Sequence, residues 1–222
     1  MTAIRALIFD LDDTLYPERS YVESGFRAVA GLLAERTGGD HDDYFAFMSK
    51  ALANDGRGRI FDDLMTQYPN LQGHTSVGEL VEHYRHHRPV IQCYPGVEKL
   101  LHRLRQTYRL AIVTDGLGVM QRRKVQALKL VKLVDEIIYC WELKAPKPDT
   151  AGFERAMERL QSNPNHTIVI GDRPDHDLQA AIAIGCRCIR IRSDRFATQA
   201  TPEHPLVLSE CSSVVDIEGR LS

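Results

Sequence analysis

Short apolar runs, each nearly continuous and rich in β-branched residues, constrain the fold of this chain more than any other feature of its sequence. Turn or helix signals bound each run. Strands that are buried on both faces of a parallel sheet show this pattern, whereas strands with one face in water alternate apolar and polar residues. The runs therefore predict β-strands over Ile4–Phe9, Leu110–Thr114, Glu136–Cys140, Thr167–Ile170 and Cys188–Ile191.

Apolar residues at helical spacing separate the last four predicted strands. They fall within Val97–Leu104, Val119–Leu130, Phe153–Leu160 and Leu178–Ile182. Strands that alternate with helices are typical of an α/β fold, in which helices cover a doubly wound parallel sheet. After about Arg192 the sequence favours loops, with Leu206–Leu208 as a candidate for one further small strand.

The stretch between Pro17 and Tyr94 interrupts this alternation. A structureless loop of that length would be unusual inside a compact domain, and its composition and spacing favour helices. We therefore predict an inserted helical domain over residues 17–93 and a core domain made of residues 1–16 and 94–222. The predicted helices of the insert are Tyr21–Arg36, Asp42–Ala53, Ile60–Gln67 and Val77–His87.

Composition narrows the range of partners and locations. The chain has 28 basic and 30 acidic residues and a formal net charge of −2, so nucleic acid is not an expected partner. No apolar run approaches the roughly 20 residues that cross a bilayer, and the first residues lack the zones of a signal peptide, so neither membrane nor export is expected. The five cysteines are an odd number without a CxxC pair, which favours reduced thiols in the cytoplasm.

Acidic residues follow the first predicted strand directly, beginning with Asp10 and Asp12. Ligands of parallel sheets bind beyond the carboxyl ends of the strands, and the period of a strand puts these two side chains on one side. Their mutual repulsion makes sense if a cation lies between them. For an isolated pair of this kind, however, a solvated turn or a helix cap is the better interpretation.

Polar segments also follow two other predicted strands. Thr114, Asp115 and Gly116 can present a hydroxyl and backbone amides to an anion, or they can cap a helix. Lys147 precedes a proline that orders its backbone at a loop-to-helix junction, from which its ammonium can reach an acidic pocket. Lys144 competes for this role, and a solvated loop position is the common alternative for either lysine.

A last polar segment follows the strand Thr167–Ile170 and contains Asp172, Asp175 and Asp177. Asp172 lies at the strand edge, in a position equivalent to that of Asp10. Asp175 and Asp177 suit the start of the following helix, where the helix dipole favours negative charge. Capping therefore explains these two residues well, and it explains Asp172 less well.

The four segments bring several negative charges and one lysine to a single edge of the sheet. Mg²⁺ is the natural counterion for such a site, because it prefers oxygen ligands from a few carboxylates and a substrate phosphate. No set of Cys and His with zinc spacing competes for this role. His83 and His87 are four residues apart, as zinc ligands can be, but a solvated helix face that also includes His86 is the preferred interpretation.

Together these segments resemble the motifs of the haloacid dehalogenase-like hydrolases, in the order and at the spacing of that family. The resemblance rests on Asp10-x-Asp12-x-Thr14, on Thr114, on Lys147-Pro148, and on Gly171-Asp172 followed by Asp175 and Asp177. The insert resembles the helical cap of the subgroup that contains phosphoglycolate phosphatase. The resemblance implies a Rossmann-like core with a helical cap, and a magnesium-dependent phosphatase that acts on a small phosphorylated metabolite.

The resemblance also implies a role for each site residue. Asp10 resembles the nucleophile that forms an aspartyl phosphate, and Asp12 the general acid and base. Lys147 resembles the cation that neutralises the nucleophile and the transferring group. Thr114, with the amides of Asp115 and Gly116, resembles the phosphate-binding motif. Asp172, the Asp10 carboxylate and the Asp12 main-chain oxygen resemble the magnesium ligands. Asp177 and Asp175 resemble the outer residues that contact metal waters and Lys147.

Several alternatives remain open at this stage. A phosphomutase would share all these motifs, and a non-catalytic binding module would need no nucleophile. A haloacid dehalogenase would use the same nucleophile, but neither an acid at position 12 nor essential magnesium. Arg173 departs from the small residue usual at its position, and it can line the site entrance or be solvated. The sequence does not identify the substrate. It also does not distinguish a monomer from a homodimer.

Overall fold

The computed structural model describes residues 3–221, except for the side chain of residue 55, and the chain forms two compact units. The first unit comprises the chain up to Glu18 and from Gln92 onward, and the second spans Arg19–Ile91. The limits of the domains predicted from sequence fall after residues 16 and 93. Residues 1, 2 and 222, which the predicted core domain includes, lie outside the described part of the chain.

The first unit is built on a six-stranded sheet in which all neighbouring strands run parallel. The order across the sheet is β3-β2-β1-β4-β5-β6. This order is that of a doubly wound α/β fold, so the predicted fold class is confirmed. The strands are β1 (Ala6–Phe9), β2 (Arg109–Thr114), β3 (Glu136–Tyr139), β4 (Thr167–Gly171), β5 (Arg187–Ile191) and β6 (Val207–Cys211).

The direction of winding reverses between β1 and β4, which are neighbours in the sheet although the chain between them is long. Phe9 pairs with Ile112 of β2 on one side and with Ile170 of β4 on the other. Ligands of doubly wound sheets bind at such a reversal, beyond the carboxyl ends of the strands. The register therefore brings the residues that follow β1, β2 and β4 to one edge.

The five strands predicted from sequence are all present, with ends that differ by one or two residues. The last strand, β6, covers Val207–Cys211 rather than Leu206–Leu208, and it pairs in parallel with β5. Its sequence mixes apolar and polar residues, and its burial alternates, because it is one of the two edge strands of the sheet. An alternating edge strand lacks the continuous apolar run by which the inner strands are recognised.

Helices cover the sheet, and their apolar faces form its core. This core joins β-strand residues such as Ile8 and Val169 to Phe153 and Met157 of a covering helix. The helices of this unit are α5 (Val97–Leu104), α6 (Gly118–Ala127), α7 (Cys140–Leu143), α8 (Ala151–Arg159) and α9 (Gln179–Ala183), with a π-helical turn at Pro174–Leu178 and 3-10 turns at Leu130–Lys132, Pro164–His166, Asp194–Phe196 and Val214–Arg220.

The second unit is helical and has its own apolar core, which includes Phe26, Met48, Leu64 and Leu80. Its helices are α1 (Glu18–Thr37), α2 (His41–Asp55), α3 (Ile60–Gln67) and α4 (Val77–His86), with a 3-10 turn at Pro69–Leu71. A capping box begins α4, in which the amide of Glu79 donates to the Ser76 side chain and the Ser76 amide donates to Glu79. Within the described residues, no helix is long and apolar enough to cross a membrane.

One of the histidines near the end of α4, His87, differs from the predicted solvated face. His87 is buried, and its Nδ1 lies 2.6 Å from the carbonyl oxygen of Tyr84. Its ring also packs against Tyr21, with centroids 4.9 Å apart. His86 is exposed beside Glu82, as the prediction has it. The helix ends just before His87, so the helical period does not decide where this side chain points.

Two glycines of α1 provide a matched test of the helical unit. A methyl group at Gly31 would meet no atom within 4 Å, whereas one at Gly25 would run into the ring of Tyr84. We expect Gly31→Ala to stabilise the unit by about 0.5–1 kcal/mol, because alanine loses less entropy in a helix. Gly25→Ala should destabilise it by about 1–3 kcal/mol through overpacking. Thermal unfolding followed by calorimetry measures both, and equal effects of the two variants would contradict this packing.

Candidate active site

The candidate site lies at the carboxyl edge of the sheet, where β1 and β4 end side by side. The amide of Asp10 donates to the carbonyl of Ile170 at 2.8 Å, so the strand pairing continues to the first residue after β1. Asp10 is only 8% exposed. The sheet itself therefore fixes the backbone of Asp10 at the point where the winding reverses.

Lys147 supplies the cation nearest to Asp10. Its Nζ lies 2.5 Å from Asp10 Oδ1 and 2.7 Å from Asp177 Oδ1, and the residue is buried. Its backbone amide donates to the Asp115 carboxylate at 3.0 Å, which holds the loop after α7 against the loop after β2. Lys144 is exposed at the end of α7. Of the two lysines considered from sequence, Lys147 is the one that the structure places in the site.

Lys147 contacts two members of a group of three carboxylates. Asp10, Asp172 and Asp177 each offer an oxygen atom, and these atoms lie within 4.8 Å of one another. Ser193 donates to Asp172 Oδ2 at 2.7 Å, and the amide of Arg173 donates to Asp177 Oδ2 at 3.1 Å. Asp177 thus accepts at both oxygens from protein donors, which suits a residue that holds Lys147. Asp10 and Asp172 are the better candidates for metal ligands.

The pKa shifts in this group show that the ionised carboxylates need positive charge beside them. Burial, opposed by Lys147 and reinforced by the neighbouring aspartates, holds the pKa of Asp10 well above its ordinary value. Burial and the charge of Asp177 raise the pKa of Asp172 to about 7. Although burial disfavours its charge, Lys147 has a raised pKa because Asp10 and Asp177 lie against it. A divalent cation would offset the remaining repulsion among the carboxylates, and their hard oxygen atoms suit Mg²⁺.

Asp12 has different surroundings from Asp10. Lys124 Nζ lies 2.7 Å from its Oδ1, and Gln121 Nε2 donates to its Oδ2 at 2.8 Å. The hydroxyl of Tyr16 also donates to Oδ1. Burial acts to raise the pKa of Asp12, but Lys124 and these hydrogen bonds outweigh it, so the pKa lies below its ordinary value. The two aspartates at the end of β1 therefore have opposite pKa shifts.

The loop after β2 forms the third side of the site. Thr114 ends β2 and is buried, and its hydroxyl accepts from Gln121 Nε2 at 2.6 Å. Gly116 has a φ of 109°, a conformation that side chains rarely adopt, so the loop can turn into α6 at this point. Such a turn leaves backbone amides at the edge of the sheet, where they can bind an anion.

The predicted site residues do not all meet. Asp175 is exposed and pairs with Arg173 and His176, so the structure places it apart from Lys147. Asp177 contacts Lys147, which is the partner that the family resemblance implies for it. It reaches this lysine from a π-helical turn, Pro174–Leu178, rather than from the start of a regular helix.

The sequence reasoning missed four residues that contact the site aspartates: Tyr16, Gln121, Lys124 and Ser193. For two of them a signal existed. Gln121 and Lys124 share a helical stripe with Val125 and Leu128, and all four are buried. Polar residues on an apolar stripe indicate buried partners. Ser193 lies in a loop after β5, where no pattern distinguishes it from a solvated serine.

Comparison with known proteins gives the same assignment of fold. A family model described as haloacid dehalogenase-like hydrolase matches residues 7–191. A glyceraldehyde 3-phosphate phosphatase of Methanocaldococcus jannaschii is 26% identical, and the alignment covers 98% of each chain. A ribulose-1,5-bisphosphate 5-phosphatase of Halopiger xanaduensis is 24% identical, over 95% of this chain and 98% of that one.

Solved structures resemble the whole chain. A magnesium-bound HAD-hydrolase of Bacillus subtilis superimposes with a TM-score of 0.68 at 20% identity, with 100% of both chains covered. A 2-haloacid dehalogenase of Pseudomonas syringae pv. Tomato gives a TM-score of 0.67 at 22% identity, with 98% of both chains covered. At this level of identity the likeness establishes the shared fold.

The raised pKa of Asp172 generates a prediction about pH and stability. An acid whose pKa is about 7 in the folded chain and 3.8 when freely solvated binds more protons when folded, so its ionisation lowers the free energy of unfolding as the pH rises through this range. With EDTA present, Asp172→Asn should therefore raise the melting temperature at about pH 8 and change it little at about pH 5. Mg²⁺ should stabilise the unsubstituted protein more than the variant.

Asp149→Asn is the control, because Asp149 is exposed and its side chain caps the turn before α8 through the amide of Ala151. Asparagine can accept the same hydrogen bond. A melting difference for Asp172→Asn that is independent of pH would show that the carboxylate group is not under the repulsion described above.

Proposed function

Because this chain belongs to the haloacid dehalogenase-like hydrolases, we propose that it is a magnesium-dependent phosphatase that uses Asp10 as its nucleophile. The observation that carries the proposal is the buried contact of 2.5 Å between Lys147 Nζ and Asp10 Oδ1, with Asp172 beside it. A carboxylate fixed against a cation at the carboxyl edge of the sheet is arranged to meet an anionic substrate. The relatives from Methanocaldococcus jannaschii and Halopiger xanaduensis are named as phosphatases, which favours the same reaction.

The reaction has two steps on the residues of the site. Asp10 attacks phosphorus, so an Asp10 oxygen–phosphorus bond forms while the bond to the leaving oxygen breaks. Asp12 gives its proton to that oxygen from its protonated form, which its lowered pKa makes the minor form at neutral pH. Asp12 then takes a proton from water, the water oxygen bonds to phosphorus, and the Asp10 carboxylate is released together with inorganic phosphate.

Lys147 and the loop after β2 bind the charge that the reaction moves. The ammonium of Lys147 neutralises Asp10 and the transferring phosphoryl group, whose oxygen atoms carry most of the charge in the transition state. Asp177 and the carboxylate of Asp115 hold this lysine in place by its ammonium and its backbone amide. The Thr114 hydroxyl and the amides of Asp115 and Gly116 bind the phosphoryl oxygens.

The carboxylates of Asp10 and Asp172, with the main-chain oxygen of Asp12, would hold the magnesium ion. The close approach of the carboxylates and the raised pKa of Asp10 and Asp172 fit such an ion. When bound, Mg²⁺ supplies positive charge that offsets the repulsion between the nucleophile and the phosphate. Ser193 fixes the orientation of Asp172 by its hydrogen bond to Oδ2.

Two other reactions of the family are less well supported. A haloacid dehalogenase has no use for an acid at position 12, whereas here Asp12 is held by three side chains. A phosphomutase would use every group named above, and it would differ by passing the phosphoryl group back to an organic acceptor. Hydrolysis is preferred because relatives such as the glyceraldehyde 3-phosphate phosphatase and the ribulose-1,5-bisphosphate 5-phosphatase are named for it.

The substrate in this proposal is a small phosphorylated metabolite. The names of the relatives suggest a first panel for assay, namely glyceraldehyde 3-phosphate, ribulose 1,5-bisphosphate and pyrophosphate. A cytoplasmic location stays a prediction, and the five free cysteines support it, because they form no disulfide.

The nucleophile is tested by Asp10→Asn. The unsubstituted protein with Mg²⁺ should release inorganic phosphate from the panel or from 4-nitrophenyl phosphate, and an acid quench during turnover should trap phosphate bound covalently to the protein. Asp10→Asn should lower turnover by at least about a thousandfold and abolish the trapped species, because an amide cannot attack. Peptide mapping of the trapped phosphate should identify residue 10.

Asp149→Asn again serves as the control for an aspartate near Lys147, and it should retain turnover. Chelation with EDTA should abolish phosphate release, and added Mg²⁺ should restore it. Lack of phosphate release from every ester tested, with several divalent metals, would contradict the proposal. Release of a halide from a 2-haloacid, or transfer to a sugar in place of water, would replace it with the corresponding alternative.

A further inference from the structure

A second buried lysine lies in the first unit, and it is directed at Asp12 rather than at Asp10. Lys124 belongs to α6 and is 3% exposed. Its Nζ approaches Asp12 Oδ1 at 2.7 Å, and the Lys124 side chain is 4% exposed against 22% for that of Asp12. Lys124 therefore contacts Asp12 from the interior of the protein. Asp12 is the member of the pair that solvent or substrate can reach.

Packing alone gives no reason for a lysine at this position. Burying an ammonium costs several kcal/mol of hydration, and an apolar side chain of similar volume is often at least as stabilising in such a place. The neighbours Val125 and Leu128 on the same stripe are apolar and buried. The charge of Lys124 therefore has its use in the contact with Asp12.

Gln121 completes the arrangement one helical turn earlier. Its Nε2 donates to Asp12 Oδ2 at 2.8 Å and to the Thr114 hydroxyl at 2.6 Å. Lys124 and Tyr16 bind the other carboxylate oxygen. Both oxygens of Asp12 are thus held, and one of the holding groups also holds the threonine proposed to bind phosphate. Rotation of the Asp12 carboxylate would break contacts on both sides.

We propose that Lys124 and Gln121 are positioning residues that aim Asp12 at the leaving-group oxygen. The inference rests on the proposed function, because it concerns the proton transfer of that reaction. Two residues of α6 thereby join the site, and their role as positioning residues for Asp12 is confined to the proton transfer to the leaving group. Proton transfer is sensitive to small displacements, so a carboxylate that is free to rotate should lose much of its effect.

The choice of substrate separates this role from a general structural one. An alkyl phosphate has a poor leaving group that needs a proton, whereas 2,4-dinitrophenyl phosphate has a good one that needs none. The value of kcat/KM reports on the attack by Asp10 and the departure of the leaving group. If the Asp12 carboxylate loses its orientation, kcat/KM should therefore fall for the alkyl ester and change little for the aryl ester.

The test compares Lys124→Met, Asp12→Ala and the unsubstituted protein with glycerol 3-phosphate and with 2,4-dinitrophenyl phosphate, all with Mg²⁺. Lys124→Met should lower kcat/KM about 10- to 100-fold for the alkyl ester and less than about threefold for the aryl ester. Asp12→Ala should show the same selectivity with a larger loss. Arg122→Met, which removes an exposed cation of the same helix, should leave both values unchanged.

Milder variants keep the test decisive if Lys124→Met folds poorly, which circular dichroism and thermal unfolding would reveal. Lys124→Arg retains the charge, and it should recover most of the activity with the alkyl ester. Gln121→Leu removes no charge. Because Gln121 also holds Thr114, this variant should lower kcat/KM for both esters, with the larger loss for the alkyl ester. If folded variants lose activity equally with both esters, or lose none, the inference is wrong. If the unsubstituted protein hydrolyses neither ester, the proposed function fails and the inference with it.

Discussion

The site depends on a buried ammonium placed between two buried carboxylates. Lys147 contacts Asp10 and Asp177 at 2.5 and 2.7 Å, and all three side chains are largely removed from water. Ions are costly to bury, so none of the three would be tolerated here without the others. They come from the ends of three separate segments of the chain. The parallel sheet makes this possible, because it brings the ends of β1 and β4 together and lets the loop after α7 reach them.

One lysine does not balance the negative charge of the site. Asp172 lies beside Asp177, and its raised pKa shows that the charges of the protein alone leave it under repulsion as well as desolvated. A phosphate group would bring further negative charge to the same place. The fold therefore provides a site in which a divalent cation has a clear electrostatic role, and in which its oxygen ligands are held by their own hydrogen bonds, as Ser193 holds Asp172.

The sequence predicted those parts of the fold and site that depend on local pattern. Continuous apolar runs indicated the buried strands, and the aspartates directly after two of them indicated the edge where the site lies. Lys147 was preferred because Pro148 orders its backbone, and the structure places its ammonium on Asp10. The family resemblance implies a contact between Asp177 and Lys147, and the structure has this contact. The π-helical turn from which Asp177 reaches the lysine has no local sequence signal. Edge strand β6 and Ser193 depend on tertiary neighbours, which a single sequence does not contain.

The two aspartates after β1 illustrate how one short segment can support two kinds of chemistry. They are separated by a single residue, yet each has its own lysine, Lys147 for Asp10 and Lys124 for Asp12. Asp10 is crowded by other carboxylates, and its pKa is raised, whereas Asp12 receives hydrogen bonds at both oxygens, and its pKa is lowered. In pairs of carboxyl groups that divide nucleophilic attack from proton transfer, the acid is the group with the raised pKa, so the shifts seen here are the reverse of those that the proposed roles need. A cation bound beside Asp10 would lower the pKa of Asp10 and so favour the ionised nucleophile. Each aspartate owes its surroundings to residues far from it in the sequence, Lys147 and Asp177 for Asp10, and Gln121 and Lys124 for Asp12.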